Sequence, residues 1–275
     1  MQEKELFKEM KIDCKQCFGL CCVALYFSAS DGFPEDKEAG KPCINLKSDY
    51  TCCVHEKLNS KGLKGCLGYD CFGAGQKVSQ VTFTGKDWMK FPENKEKMFE
   101  AFLIMRKLHE MKWYLAQAYC LQTSQSMKCE INSLLESMEQ LTNLNTDSLL
   151  SIDLEIQRNL VNEFLNVTSD MVRMKASKKL GRKSKRKIDY FGADLRKANM
   201  LGADLRGACL IAANLSGVNF SGADVIGADM RDANIKGADF SECIFLTQPQ
   251  VNSAKGDSLT KLPIMIDRPS HWQNN

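Results

Sequence analysis

The sequence predicts a multidomain α+β chain with a short stacked solenoid toward its C-terminus, and three observations carry that prediction. A five-residue pattern repeats without a slip from Ile188 to Thr247. Apolar residues recur at helical spacing through the middle of the chain. Nine of the thirteen cysteines fall before residue 72. These features divide the 275 residues into a cysteine-rich metal-binding module (1–76), a helical region ending in a basic linker (77–187), the repeat ladder (188–247) and a capping tail (248–275).

The cysteine module comes first in the chain. Cys14, Cys17, Cys21, Cys22, Cys43, Cys52, Cys53, Cys66 and Cys71 cluster here, together with His55. Met1 to Lys11 alternates charge instead of running apolar, and no stretch approaches a membrane span, so a soluble, cytoplasmic protein without a membrane partner is expected. Disulfides do not persist in that compartment, which turns a dense cysteine cluster into candidate metal ligands. Cys14-x2-Cys17 is the spacing at which a turn brings two sulfurs onto one ion, and Cys17-x3-Cys21 extends the set. Thiolates select zinc or iron, an iron–sulfur cluster included, over magnesium or calcium. The adjacent pairs Cys21-Cys22 and Cys52-Cys53, if extended, point their side chains to opposite sides, so one ion does not take both members. Ten candidate ligands exceed the four of one tetrahedral site, leaving two ions, a bridged cluster, or one site with spare buried cysteines. The alternative is buried cysteines acting as small hydrophobes, or reduced thiols of a sensor.

Cys14-x2-Cys17-x3-Cys21-Cys22, followed by Cys43, Cys52 or Cys53, His55, Cys66 and Tyr69-Asp70-Cys71, resembles the zinc- or iron-chelating cysteine-rich domain family. That family usually reads C-x2-C-x2-C-C, so the extra residue before Cys21 is a departure. The resemblance spans about residues 10–76 and implies a chelated metal.

Three amphipathic helices are predicted next, as a hairpin or small bundle. The first runs from Pro92 to about Leu121, with Met98, Phe102, Met105, Leu108, Leu115 and Tyr119 on its apolar face. The second carries Met127, Ile131, Leu134, Leu135, Met138 and Leu141. The third has the cleanest stripe, Ile152, Ile156, Leu160, Phe164, Val167, Met171 and Met174, with Thr146 or Asp147 as its cap. His109 lies in the first helix without a partner at a ligand spacing and reads as an ordinary surface or packed residue. A basic run follows: Lys178, Lys179, Arg182, Lys183, Lys185, Arg186 and Lys187, with no acid among them. It reads as a solvated linker or as a weak, salt-sensitive phosphate contact; it lacks interleaved aromatics, so no nucleic-acid partner is expected.

In the ladder a small residue, Asp or Asn, and a bulky apolar residue recur, as in Ala193-Asp194-Leu195, Ala203-Asp204-Leu205 and Ala223-Asp224-Val225. A fixed short period means turns stacked so that repeated positions share one interior. The motif A-(D/N)-L-x-x resembles the pentapeptide-repeat family. That resemblance implies a right-handed quadrilateral β-helix with four repeats per turn, hence about three turns for the twelve repeats from Tyr190 to Phe245. Stacking at twenty-residue intervals then aligns Met200, Phe220 and Phe240 in one column and Tyr190, Leu210 and Met230 in another. Val251, Leu259, Leu262, Pro263, Ile264, Met265, Ile266 and Trp272 supply apolar surface to cover the last turn.

The function expected from these parts is a metal-stabilised protein-interaction scaffold whose solenoid meets a protein partner. A metal-dependent or redox enzyme acting on a protein or peptide is the alternative, although no Ser, His and Asp arrangement or phosphate-cradling loop is visible, so an enzyme is the lesser expectation. A DNA mimic that binds topoisomerases fits poorly, because from Ile188 to Phe245 the ladder carries only eight acids against five bases.

Overall fold

The computed structural model describes residues 3–177 and 188–274, so the basic run from Lys178 to Lys187 lies outside the described residues. The chain forms two compact units: Met1–Cys66 with Asp70–Leu165, and Leu67–Tyr69 with Asn166–Asn275.

The spine of the first unit is the helix Lys95–Leu121, entered through a tight turn at Pro92–Asn94. Proline suits that place because its fixed φ matches the first helical turn and its missing N–H has no intrahelical acceptor there. Met98, Phe102, Met105, Leu108 and Leu115 are fully buried, as are most residues around the helix. Such a helix is enclosed by its neighbours instead of lying on a surface. The helix Gln125–Thr142 packs against it through Ile131 and Met138. Its cap is Ser124, which accepts from the Met127 N–H.

The third predicted helix is broken in two. Asn145, not Thr146 or Asp147, caps the short helix Thr146–Leu150 by accepting from the Ser148 N–H at 3.0 Å. Asp153 then starts the helix Leu154–Ser177. The apolar stripe points the wrong way for a core: Ile156, Leu160, Val167 and Met174 are exposed, while Val161, Leu165, Thr168 and Ser169 are buried.

Lys77 and Lys112 converge on Glu139, Lys77 at 3.1 Å. Burial alone raises a carboxyl, but here the hydrogen bonds and charges of the two lysines prevail and hold Glu139 down at about 2, against an ordinary 4.5. A folded pKa below the unfolded one gives stability that is present above about pH 4.5 and lost as pH falls toward 2. Glu139→Gln is therefore expected to flatten the acid limb of the stability profile and to lower stability at neutral pH, where buried Lys112 keeps only the longer pair to Glu9 at 3.8 Å. Urea midpoints between pH 2 and 7 check this; an unchanged acid limb would refute it.

The second unit is built on the repeat. In each five-residue step two residues make a tight turn closed by a backbone bond, such as Ala193 N–H to Tyr190 O at 3.0 Å or Ala203 N–H to Met200 O at 3.1 Å. At most steps the second turn residue has a positive φ and is glycine (Gly192, Gly202, Gly207, Gly217, Gly222, Gly227 and Gly237), Ala212 or Asp232, whereas Lys197 and Glu242 hold the same place without it. The Asp or Asn that follows accepts from the N–H two residues on, as Asp224 does from Ile226 at 3.0 Å, which steadies the next turn. It also pairs with the residue twenty positions along: Asp194 with Asn214, Asn214 with Asn234, Asp204 with Asp224. The interior columns follow, with the Phe220 and Phe240 rings stacked 4.2 Å apart.

The right-handed quadrilateral β-helix implied by the resemblance, and with it the α+β class, is corrected here. Among the described residues there is no β-strand and no sheet, the regular secondary structure is helical, and the rungs of the ladder meet only through isolated parallel bridges. The physical reason lies in the period. Two of every five residues are spent on a turn, so one bridging residue is left between turns, too short a run for a strand ladder.

The far end of this coil is closed by the tail. Lys255 and Lys261 bridge to Asn234 and Asp239. Val251, Ile266 and Trp272 are buried, whereas Leu259 and Ile264 stay exposed. Trp272 lies over Gly256, where an added Cβ would meet the indole at 2.6 Å. At the near end Tyr190 and Leu195 are half-buried. Cys243 is buried in the coil, and Cys209 bridges Asp189 and Asp229 on the adjacent rungs.

Candidate functional site

The module that carries the cysteines is an irregular loop region pinned to the spine helix by short helical turns. Leu20–Ala24 and Ala74–Lys77 both pack on Lys95–Leu121. Gln76 ties the first loop down, accepting from the Asp13 N–H at 3.0 Å and donating to the Lys11 carbonyl at 2.7 Å. Trp88 fixes the next stretch by donating from Nε1 to the Phe18 carbonyl at 2.8 Å. Gly75 lets Cys17 approach: a Cβ there would fall 2.6 Å from the Cys17 Sγ.

Cys21 and Cys22 lie on a helical turn, not on extended backbone, and their sulfurs are 4.0 Å apart. The expectation that this pair splays to opposite sides is thereby corrected, because helical neighbours are separated by about 100° and not 180°. Around them the other thiols gather in two neighbourhoods. Cys17 and Cys71 press on Cys21, and Cys71 also feels Cys14. Cys22, Cys43 and Cys53 press on Cys52, and Cys22, Cys43 and Cys52 press on Cys66. The groups meet at Cys22, which presses on both Cys21 and Cys14.

Backbone amides aim at four of these sulfurs, in each case from two residues further on. Asn45 N–H donates to the Cys43 Sγ at 3.4 Å. Leu20 and then Gly19 donate to Cys17, Gly75 and then Gly73 to Cys71, and Val54 to Cys52. Amide donors favour the thiolate over the thiol. Opposing them, burial first and then the neighbouring sulfurs push Cys14 up to about 11, although that residue as a whole is exposed. Burial likewise holds Cys17 and Cys71 up at about 11 and Cys66 at about 12. Thiols so crowded stay protonated until a cation compensates them, and that is the condition in which metal binding displaces protons.

Lys37 is a buried cation beside these sulfurs that the cysteine spacing does not announce. It is 9% exposed, and its ammonium donates to the Val23 carbonyl at 2.8 Å and to that of Leu25. Burial lowers its pKa, while Cys43, Cys22, Cys21 and Cys66 raise it. Sequence gives little warning of such a lysine. The Gly19 and Gly73 donors are legible, each a glycine two places after a cysteine.

Cys53 and His55 are exposed, and the Cys53 thiol faces Asn45 Oδ1 at 3.7 Å. Among the described residues no three His, Cys, Asp or Glu side chains close into a metal shell. The donor set has soft-metal chemistry, but its sulfurs are neighbours and not a formed coordination sphere. His109 is a packed residue: it is 1% exposed, its Nδ1 lies 2.6 Å from the Phe72 carbonyl, and burial pushes it down to about 4.

The ladder matches the family model for pentapeptide repeats, eight copies over residues 192–210 and 208–245. Over 266 residues the chain is 55% identical to the uncharacterized protein YybG of Bacillus subtilis (strain 168), covering 96% of this chain and 95% of YybG. This chain belongs to the pentapeptide-repeat family. The likeness of this pentapeptide-repeat protein to YybG spans the cysteine-rich segment as well as the repeats. A crystal structure of the pentapeptide repeat protein Rfr23 from the cyanobacterium Cyanothece 51142 is similar over 27% of this chain and 56% of that one, with 26% identity and a TM-score of 0.21. Among the described residues no helix is long and apolar enough to cross a membrane.

Proposed function

We propose that this pentapeptide-repeat protein is a metal-stabilised interaction scaffold, with zinc or iron held by the cysteine module and the coil presenting a surface to a protein partner. The observation that supports it best is the convergence of amide donors on four buried or half-buried thiols within one crowded group. Closed thiolate sites of this kind are more often structural than catalytic. A rigid repeat coil, in turn, suits recognition.

The ladder's acids are used inside the molecule, which speaks against a DNA mimic. Asp194, Asp204 and Asp229 are each held by the arginine two residues on. Asp224 is 1% exposed and accepts from the Ser169 hydroxyl at 2.6 Å.

Anaerobic purification followed by elemental analysis and an absorption spectrum tests the metal. Bound zinc with a featureless visible spectrum, or iron with a charge-transfer band, is the expected result. Protein that is folded and free of both elements overturns the proposal.

A further inference from the structure

We propose that the outward face of the helix Leu154–Ser177 is a self-association surface, on which a second copy of this chain lays the same helix parallel to the first. This surface does not depend on a metal in the cysteine module.

The stripe is the cleanest apolar pattern of the helical region, and the fold leaves it in water. Ile156, Leu160, Val167 and Met174 are between 43% and 58% exposed, with Phe164 and Met171 half-buried along one edge. An amphipathic helix of a single chain turns such a stripe inward. Here the inward side is taken instead by Val161, Leu165, Thr168 and Ser169. The Ser169 hydroxyl donates to Asp224 and Arg173 to the Gly202 carbonyl, so that side is fixed and the helix cannot roll its stripe under. A row of large apolar side chains held outward in this way marks an interaction surface.

The spacing selects the partner. Leu160, Phe164, Val167, Met171 and Met174 follow at steps of four, three, four and three, the alternation of a two-stranded helix seam. Another helix of the same spacing matches such a seam, and a second copy supplies one in register. The flanking charges set its direction. Asp170 borders the stripe on one side and Lys175 on the other, both exposed. In a parallel pair each Asp170 meets the second copy's Lys175, five residues further on, and the two-fold axis makes that contact twice. In an antiparallel pair with the stripes fully overlapped, like flanks face each other and Glu163 would oppose Asp170. A seam this short buries less than a standard interface, so the dimer is expected to form and dissociate with concentration.

Sedimentation equilibrium of the full-length protein over a wide concentration range tests this. The mass is expected to rise from one chain to two. Leu160→Glu/Val167→Glu, which changes only exposed positions, should hold the chain at one copy while the coil's thermal transition stays in place. Lys175→Glu should weaken association about tenfold, and Asp170→Lys/Lys175→Glu should restore it. The charge variants carry the test should the apolar variant lose its fold. A single chain at every concentration overturns the proposal, as does a dimer indifferent to the apolar variant or a charge exchange that restores nothing. A single chain that pellets with anionic phospholipid vesicles also overturns it and assigns the stripe to a membrane surface.

Discussion

Stripping the proposed metal with a strong chelator is expected to unfold the cysteine module while the coil's own thermal transition persists. The module has little regular structure of its own, being short helical turns joined by loops. Its cohesion is expected to come from the ion, since structural zinc supplies on the order of 10–16 kcal/mol to small domains, comparable with the whole stability of a typical fold. The coil instead has an apolar interior from Met200 to Phe245, with Leu205, Leu210, Leu215, Val225 and Ile235 at 1% exposure or less. Hydrogen exchange resolved by segment reads both regions at once. Retained protection across Cys14–Cys71 after complete metal removal would show that the loops hold without it.

Phe220→Ala is expected to lower coil stability by about 3–5 kcal/mol, the usual loss for emptying a large aromatic site. Phe220 is fully buried and stacks on Phe240 at 4.2 Å, so the cavity opens in the middle of a column and not at an end. Tyr190→Ala, on the half-buried first rung, should cost much less. Thermal melts of the two variants side by side check the ranking. Equal losses would mean that the interior is not a continuous stack.

What could be read in advance differs between the two units for physical reasons. The twenty-residue stacking was legible because every fifth residue repeats its chemistry, and the interior columns obey it from Met200 onward. The strands were not there to be read, since the period leaves one bridging residue between turns. The helix Leu154–Ser177 was misjudged because hydrophobicity marks its exposed face. Its packed side in the coil unit is a polar seam, where Thr168 and Ser169 are buried and Ser169 bonds Asp224. No periodicity of apolar residues reveals a seam of that composition. In the cysteine module the candidates were visible, but the helical placement that brings the Cys21 and Cys22 sulfurs together was not, because a vicinal pair does not disclose its backbone.

The same seam sets a rule for how the ladder can grow. Arg173 donates to the Gly202 carbonyl and pairs with Asp204, while Ser169 reaches Asp224, and Ala176 sits where a Cβ on Gly202 or Gly222 would fall. Those ladder positions are twenty residues apart, one above the other, so the helix acts as a calliper set to a single rung. A gain or loss of five residues between Asp204 and Asp224 rotates the coil by one face and carries Asp224 out of reach. Even a whole rung added between Asp204 and Asp224 would carry Asp224 out of the helix's reach, so any change of length falls outside the gripped segment.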